Sequence, residues 1–286
     1  MTASTSADRC YRHPDRQSWV LCSRCGRTIC GQCQTQAPVG VRCPECVREE
    51  RDEQRQTQRQ TRIAHGGPRT ELGRRARAYF AQPTPVTTSI GIVTILVGVL
   101  QVLPGDLSAS LLWYLPYSLS EPWRFVTWAL VHASPLHLAF NMLVLFMVGP
   151  SIEQRIGKLP YLAAYVVSAI GAAVAIAWLQ PGSAVVGASG AIYALFGMAI
   201  GMQRMLGRVQ PALLLVVGIN LAITFLFGGI SWSAHVGGLA VGLALGFGIG
   251  LVDRRMRSGA GVWIVIAAVA AVCAAAFALR ILSLLG

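Results

Sequence analysis

Charge is what this 286-residue chain has least of: 13% of its residues are Asp, Glu, Lys or Arg, and only 12 are acidic. With 54% hydrophobic residues and a mean hydropathy of +0.54, that scarcity excludes a soluble globular domain and indicates a polytopic membrane protein. Residues 1–85 hold 15 of the 24 basic and 8 of the 12 acidic side chains, so the first part reads as soluble and the rest as membrane-embedded. No apolar run with a cleavage site stands near Met1, so no secretory leader is expected and the N-terminal part is placed in the cytoplasm. The net charge of +12 suits inner loops facing anionic lipid, and no nucleic acid is expected as a partner.

Cysteine is abundant, but in one place. Seven of the eight fall between residues 10 and 46, as Cys10-x-x-His13, Cys22-x-x-Cys25, Cys30-x-x-Cys33 and Cys43-x-x-Cys46. A two-residue gap lets both side chains of a pair converge on one tetrahedral ion, and eight such ligands match two structural Zn²⁺ sites. A disulfide scaffold is disfavoured, because a cytoplasmic module stays reduced and His13 has no disulfide role. The spacing resembles B-box-type cross-brace zinc fingers. That resemblance implies one ion on Cys10, His13, Cys30 and Cys33 and another on Cys22, Cys25, Cys43 and Cys46; sequential pairing is the alternative. Full ligand sets leave no open coordination position for catalysis. From Arg48 to Pro85 the chain is rich in Arg, Gln and Glu, with a break at His65-Gly66-Gly67-Pro68. It reads as a basic linker with a polar helix over 47–62, and with Arg74, Arg75 and Arg77 set against lipid headgroups.

Apolar runs of about bilayer length follow at 86–103, 136–156, 160–180, 188–206, 211–229, 232–252 and 261–285, predicting seven spans. With the N-terminus inside, the inner loops carry Arg155 and Lys158, then Arg204 and Arg208, then Arg254, Arg255 and Arg257, as the positive-inside rule requires. Only Arg280 falls on the outer side of the last span. In this orientation the second, fourth and sixth spans all run inward, and His137 with Asn141, Ser189 and His235 each lie near the start of one of them. Four polar side chains at one depth suggest a single site. Ser189 shares a helix face with Tyr193, Gly197 and Gly201, and His235 with Gly238, Gly242 and Gly246. Small residues at such steps let helices approach closely in lipid, which would bring the imidazole to the hydroxyl. His235 is then the base for a Ser189 nucleophile, with His137, Asn141 and the Ser189 amide as oxyanion donors. No acidic residue lies near His235 on the outer half, which argues for a dyad steadied by packing or by Tyr193.

Trp123-Arg124, His132, His137-x-x-x-Asn141, Glu153-x-Arg155, Gly187-x-Ser189-Gly190 with Tyr193, and Ala234-His235-x-x-Gly238 occur in that order. Across 86–252 this set resembles the rhomboid family of intramembrane serine proteases. The resemblance implies a six-helix core in which Ser189 attacks, His235 serves as base and then acid, and His137 and Asn141 line the oxyanion hole. It further implies transmembrane protein substrates cut near the outer face, without a catalytic cofactor. His132 is read as a structural loop histidine and Glu153 with Arg155 as an ion pair. Trp113, Trp123, Trp128 and Trp232 are read as an aromatic belt, and Cys273 as a small buried apolar residue.

The expected fold is an all-α polytopic membrane protein: a six-helix rhomboid-like bundle plus one extra C-terminal helix, preceded by a zinc-binding module. Its parts are a cytoplasmic double-zinc module at 1–47, the linker at 48–85, the protease core at 86–252, and an inner loop with a seventh span at 253–286. The expected setting is the plasma membrane, with the C-terminus outside and a cytoplasmic protein partner for the zinc module. A transporter is disfavoured by the scarcity of ionisable residues in the spans beyond the histidines. A catalytically silent module that only binds membrane helices is the alternative function, although it would be expected to lack the nucleophile or the base.

Overall fold

The computed structural model describes residues 8–64, 71–256 and 259–286. It forms two compact units, Met1–Ala78 and Tyr79–Gly286. In the first, a short antiparallel ribbon pairs β1 (Thr35–Gln36) with β2 (Val41–Arg42), opposing Thr35 to Arg42 and Gln36 to Val41. The core of this unit is six buried cysteines and Ile29, with Tyr11 and Val41 packed against them. That is too little apolar volume to hold a fold by hydrophobic burial, so the cysteines must contribute through another chemistry. The chain then enters α1 (Pro44–Ala64), whose proline sits at the helix start and which carries Cys46. The polar helix expected over 47–62 is most of α1, and Arg24 ties it back to the ribbon side through Glu53 at 2.7 Å. The break at His65-Gly66-Gly67-Pro68 and residue Arg257 lie outside the described residues, as do the side chains of Arg74, Arg254 and Arg255. Helix α2 (Glu71–Phe80) leads to the second unit.

That unit is all helix and loop: α3 (Pro85–Leu100), α4 (Leu107–Leu111), α5 (Arg124–Thr127), α6 (Pro135–Ile156), α7 (Lys158–Leu179), α8 (Ser189–Met205), α9 (Pro211–Leu226), α10 (Trp232–Met256) and α11 (Gly259–Leu285). Each of the seven expected spans coincides with one helix. Pro135–Ile156, Lys158–Leu179, Trp232–Val252 and Gly259–Leu285 are long and apolar enough to cross a membrane, and Pro85–Leu100 and Pro211–Leu226 are shorter apolar helices. Proline opens α3, α6 and α9, where its missing N–H costs no helix bond. Large apolar side chains such as Ile92, Phe146, Leu215, Ile219, Ile264 and Val272 face outward, as lipid-facing surfaces do.

The centre of the bundle is α8, in which 12 of 17 residues are buried. At a rise of ~1.5 Å per residue it reaches about 25 Å, less than the ~30 Å of a bilayer core. Beyond the pairing with Arg155 expected from the sequence, the fold gives Glu153 the role of a helix cap. Its buried carboxylate accepts from the Val86 and Thr87 amides at 2.9 and 2.7 Å and from the Thr87 hydroxyl at 2.7 Å, satisfying the orphan donors that open α3. One correction concerns the aromatic belt. Trp123 is half exposed, but Trp113 and Trp128 are wholly buried, because the 101–134 loop folds onto the bundle and inserts them against Ala172, Ala173 and Ile176 of α7.

Candidate active site and metal clusters

Glycines bring α8 and α10 into backbone contact. A Cβ added to Gly238 would stand 2.0 Å from the Gly190 carbonyl oxygen, one on Gly242 2.0 Å from that of Ala194, and one on Gly246 2.4 Å from that of Met198. From the other side, a Cβ on Gly197 would meet the Leu239 carbonyl oxygen at 2.4 Å, and one on Gly201 the Phe247 nitrogen at 2.6 Å. No side chain fits between the two helices, so the glycine faces expected from the sequence are the interface itself. Its consequence lies one turn above Gly238, where Ser189 Oγ and His235 Nε2 stand 2.8 Å apart.

His235 is held from two further directions. Its ring stacks on Tyr193 with centroids 4.1 Å apart and planes 16° from parallel. Its Nδ1 lies 2.7 Å from Thr224 Oγ1 on α9, a residue the sequence reading did not single out. The Thr224 hydroxyl also reaches the Asn220 carbonyl oxygen at 2.9 Å and Tyr193 OH at 3.2 Å. His235 is buried while Ser189 is partly exposed.

His137 and Asn141 occupy the first turns of α6, where Ser134 caps the helix by accepting from the His137 amide at 3.1 Å. Asn141 is buried and donates one side-chain N–H to the His137 carbonyl at 2.9 Å, leaving its second N–H for another acceptor. The segment before Ser189 brings His137 to the pair. Gly187 has a φ of +125°, and a Cβ built on it would lie 2.6 Å from His137 Cε1 and 3.7 Å from Ser189 Oγ. The imidazole edge and the serine oxygen therefore flank one point that only glycine leaves free. Ser189 opens α8, so its amide belongs to the first turn, whose N–H groups have no intrahelical acceptor.

The loop before α6 shapes this pocket from behind. His132 Nε2 accepts from the Ala188 amide at 3.4 Å, its ring lies 5.0 Å from that of His137, and Gln101 brackets its backbone at 2.9 and 3.0 Å. Burial, with a smaller contribution from His137, pushes His132 down to about 4, so it is neutral at ordinary pH. Arg124 is buried among the Ala109 and Leu112 carbonyls, at 2.6 and 2.8 Å, and Glu121, at 2.7 Å, which closes the loop on itself. Trp128 braces the start of α8, where a Cβ on Gly190 would meet its ring at 2.7 Å.

In the first unit, the eight sequence-selected ligands form two clusters. Cys10, His13, Cys30 and Cys33 make one, and Cys22, Cys25, Cys43 and Cys46 the other, with the ligand atoms of each within 4.8 Å of one another. His13 Nδ1 is 3.9 Å from Cys10 Sγ and 3.4 Å from both Cys30 Sγ and Cys33 Sγ. Cys25 Sγ and Cys43 Sγ are 3.8 Å apart. The clusters interleave along the chain, first pair with third and second with fourth, and each is able to hold a metal ion.

Residues 119–251 match the family model described as Rhomboid domain. The chain is 34% identical over 148 residues to the rhomboid protease GlpG of Haemophilus influenzae, covering 48% of this chain and 73% of that one. It is 34% identical over 189 residues to the rhomboid protease GlpG of an Enterobacter species, covering 60% and 65%. To the rhomboid protease GluP of Bacillus subtilis it is 32% identical over 136 residues, covering 46% and 27%. The matched stretch holds Trp123, Arg124, His132, His137, Asn141, Ser189 and His235, the polar residues that the fold gathers at one end of the bundle. With that domain match, and with most of a relative's length covered, the chain belongs to the rhomboid family.

Proposed function

We propose that this protein is an intramembrane serine endopeptidase that cleaves transmembrane proteins near the outer membrane face with a Ser189–His235 dyad. The observation that carries the proposal is the 2.8 Å contact between Ser189 Oγ and His235 Nε2, made between two apolar helices where polar groups are costly. Ser189 Oγ attacks the scissile carbonyl carbon and passes its proton to His235 Nε2. The oxygen that becomes negative is met by N–H groups of Asn141, His137 and the Ser189 amide. His235 then protonates the departing amine nitrogen, the C–N bond breaks, and an acyl-serine remains. Water adds to that ester as His235 takes its proton, and the second product leaves. A helical substrate keeps its carbonyls hydrogen-bonded, so cleavage requires a segment that unwinds near the start of α8 and presents a small residue. The intact nucleophile and base favour this reading over a catalytically silent binding module.

The orientation that fits is an inner N-terminus and an outer C-terminus, because Arg155, Lys158, Arg204 and Arg208 border one end of the bundle and the dyad the other. The functional parts are the double-zinc module at 1–47, the linker at 48–85, the protease core at 86–252 and the added helix within 253–286. For the module, zinc suits the donors. Tetrahedral Zn²⁺ with bonds of about 2.3 Å to sulfur and 2.0–2.1 Å to nitrogen sets S···S edges near ~3.8 Å and S···N edges near ~3.5 Å. Those edges compare with the 3.8 Å and the 3.4, 3.4 and 3.9 Å separations of the clusters. Each ion would supply the cross-linking that one buried isoleucine cannot, and would leave catalysis to the bundle. A cytoplasmic protein is the partner proposed for the module. Reconstitution with a model transmembrane substrate tests the proposal: Ser189→Ala and His235→Ala abolish cleavage while the protein still inserts and folds, and unchanged cleavage in either variant rejects the assigned roles.

A further inference from the structure

We infer that Thr224 is the positioning residue of the dyad, holding the His235 imidazole in the tautomer that can accept the serine proton, and that α9 must be seated for it to do so. The inference rests on the dyad reading of Ser189 and His235. A hydroxyl has one proton, and Thr224 gives it to the Asn220 carbonyl one turn back, at 2.9 Å. Toward His235 Nδ1, at 2.7 Å, the same oxygen therefore accepts. That fixes the ring proton on Nδ1 and leaves the Nε2 lone pair facing Ser189 Oγ at 2.8 Å, the arrangement a general base needs. Tyr193 OH, at 3.2 Å from Thr224 Oγ1, has its own proton for the remaining lone pair. Tyr193 sets the tilt of the imidazole by stacking, and Thr224 sets its rotation and tautomer. In hydrolases with a triad a carboxylate orients the histidine; among the described residues no carboxylate contacts His235, and a neutral hydroxyl takes that place.

The helix that supplies the hydroxyl is lightly held. Among the described residues of α9 only Val217 and Thr224 are buried, while Leu214, Leu215, Ile219, Ile223 and Phe225 face outward. A displacement of α9 by about 1 Å would stretch the Thr224–His235 contact past hydrogen-bonding range without disturbing the α8–α10 glycine contact. The seating of α9 thus decides what share of molecules holds a ready base.

The test uses the full chain in lipid. Thr224→Val keeps the shape and removes the hydroxyl; it should lower kcat about tenfold at unchanged KM, as the loss of one buried hydrogen bond does. Thr224→Ser should restore at least half of the wild-type kcat. Equal loss in both variants, or none in Thr224→Val, overturns the inference. Nitrogen-15 NMR of histidine-labelled wild-type protein gives a readout independent of any variant's folding. A His235 protonated on Nδ1 supports the assignment, and one protonated on Nε2 overturns it. Ser189→Ala separates the two levels: if it is inactive while Thr224→Val is fully active, the positioning role falls and the dyad stands; if Ser189→Ala cleaves, the dyad itself falls.

Discussion

Adding one methyl group at Gly242 perturbs the site without touching any of its polar atoms. In Gly242→Ala the new Cβ would lie 2.0 Å from the Ala194 carbonyl oxygen, 2.5 Å from its Cα and 2.6 Å from its carbonyl carbon, all of them backbone. No side chain can turn aside, so α8 and α10 must separate. Restoring a contact of about 3.3 Å requires ~1.3 Å of movement, with an overpacking cost of roughly 1–3 kcal/mol. The same movement widens the 2.8 Å Ser189–His235 contact toward ~4 Å, beyond hydrogen-bonding range. A displacement of about 1 Å in a catalytic pair costs on the order of 100-fold in rate. Initial rates of substrate cleavage in proteoliposomes measure it, beside thermal unfolding of the same preparations. Gly218→Ala is the control, since a Cβ there meets nothing within 4 Å, and it should be silent or slightly stabilising. Wild-type cleavage by Gly242→Ala would refute the claim that close glycine packing sets the dyad distance.

Three other perturbations separate the parts of the molecule. Gly187→Ala should cut kcat at least tenfold in the same assay with little change in unfolding temperature, because its Cβ meets His137 at 2.6 Å and its φ of +125° disfavours a side chain. Glu153→Ala removes three hydrogen bonds from the start of α3 and should cost about 3 kcal/mol, read as a lowered unfolding temperature, whereas Glu153→Gln keeps part of the cap and loses less. Elemental analysis should find two zinc ions per chain and one in Cys43→Ser, and chelation should expose residues 8–46 to protease digestion while cleavage of the model substrate in detergent persists.

How much of this was legible in the sequence depended on the range of the interaction. The shared depth of His137, Asn141, Ser189 and His235 followed from counting spans, and the α8–α10 interface from glycines at helical steps, because both are one-dimensional patterns that a bundle preserves. The metal clusters were legible for the same reason: each two-residue gap is a local constraint. Thr224 was not, since a threonine in an apolar helix commonly bonds its own preceding turn, as Thr224 does with Asn220, and only the placement of α9 beside α10 adds the histidine. The capping role of Glu153 was not legible because its donors lie 66 and 67 residues away, at Thr87 and Val86. Trp113 and Trp128 were misread because tryptophans near a span boundary look interfacial until the loop carrying them is seen to fold inward.

The central claim is that Ser189 is made nucleophilic by His235, and covalent labelling by a fluorophosphonate in intact membranes measures that directly. Peptide mapping should place the adduct on Ser189 in the wild type, with none in Ser189→Ala and at least tenfold slower labelling in His235→Ala. An adduct elsewhere with cleavage intact, or labelling that proceeds at the wild-type rate without the imidazole, would contradict it.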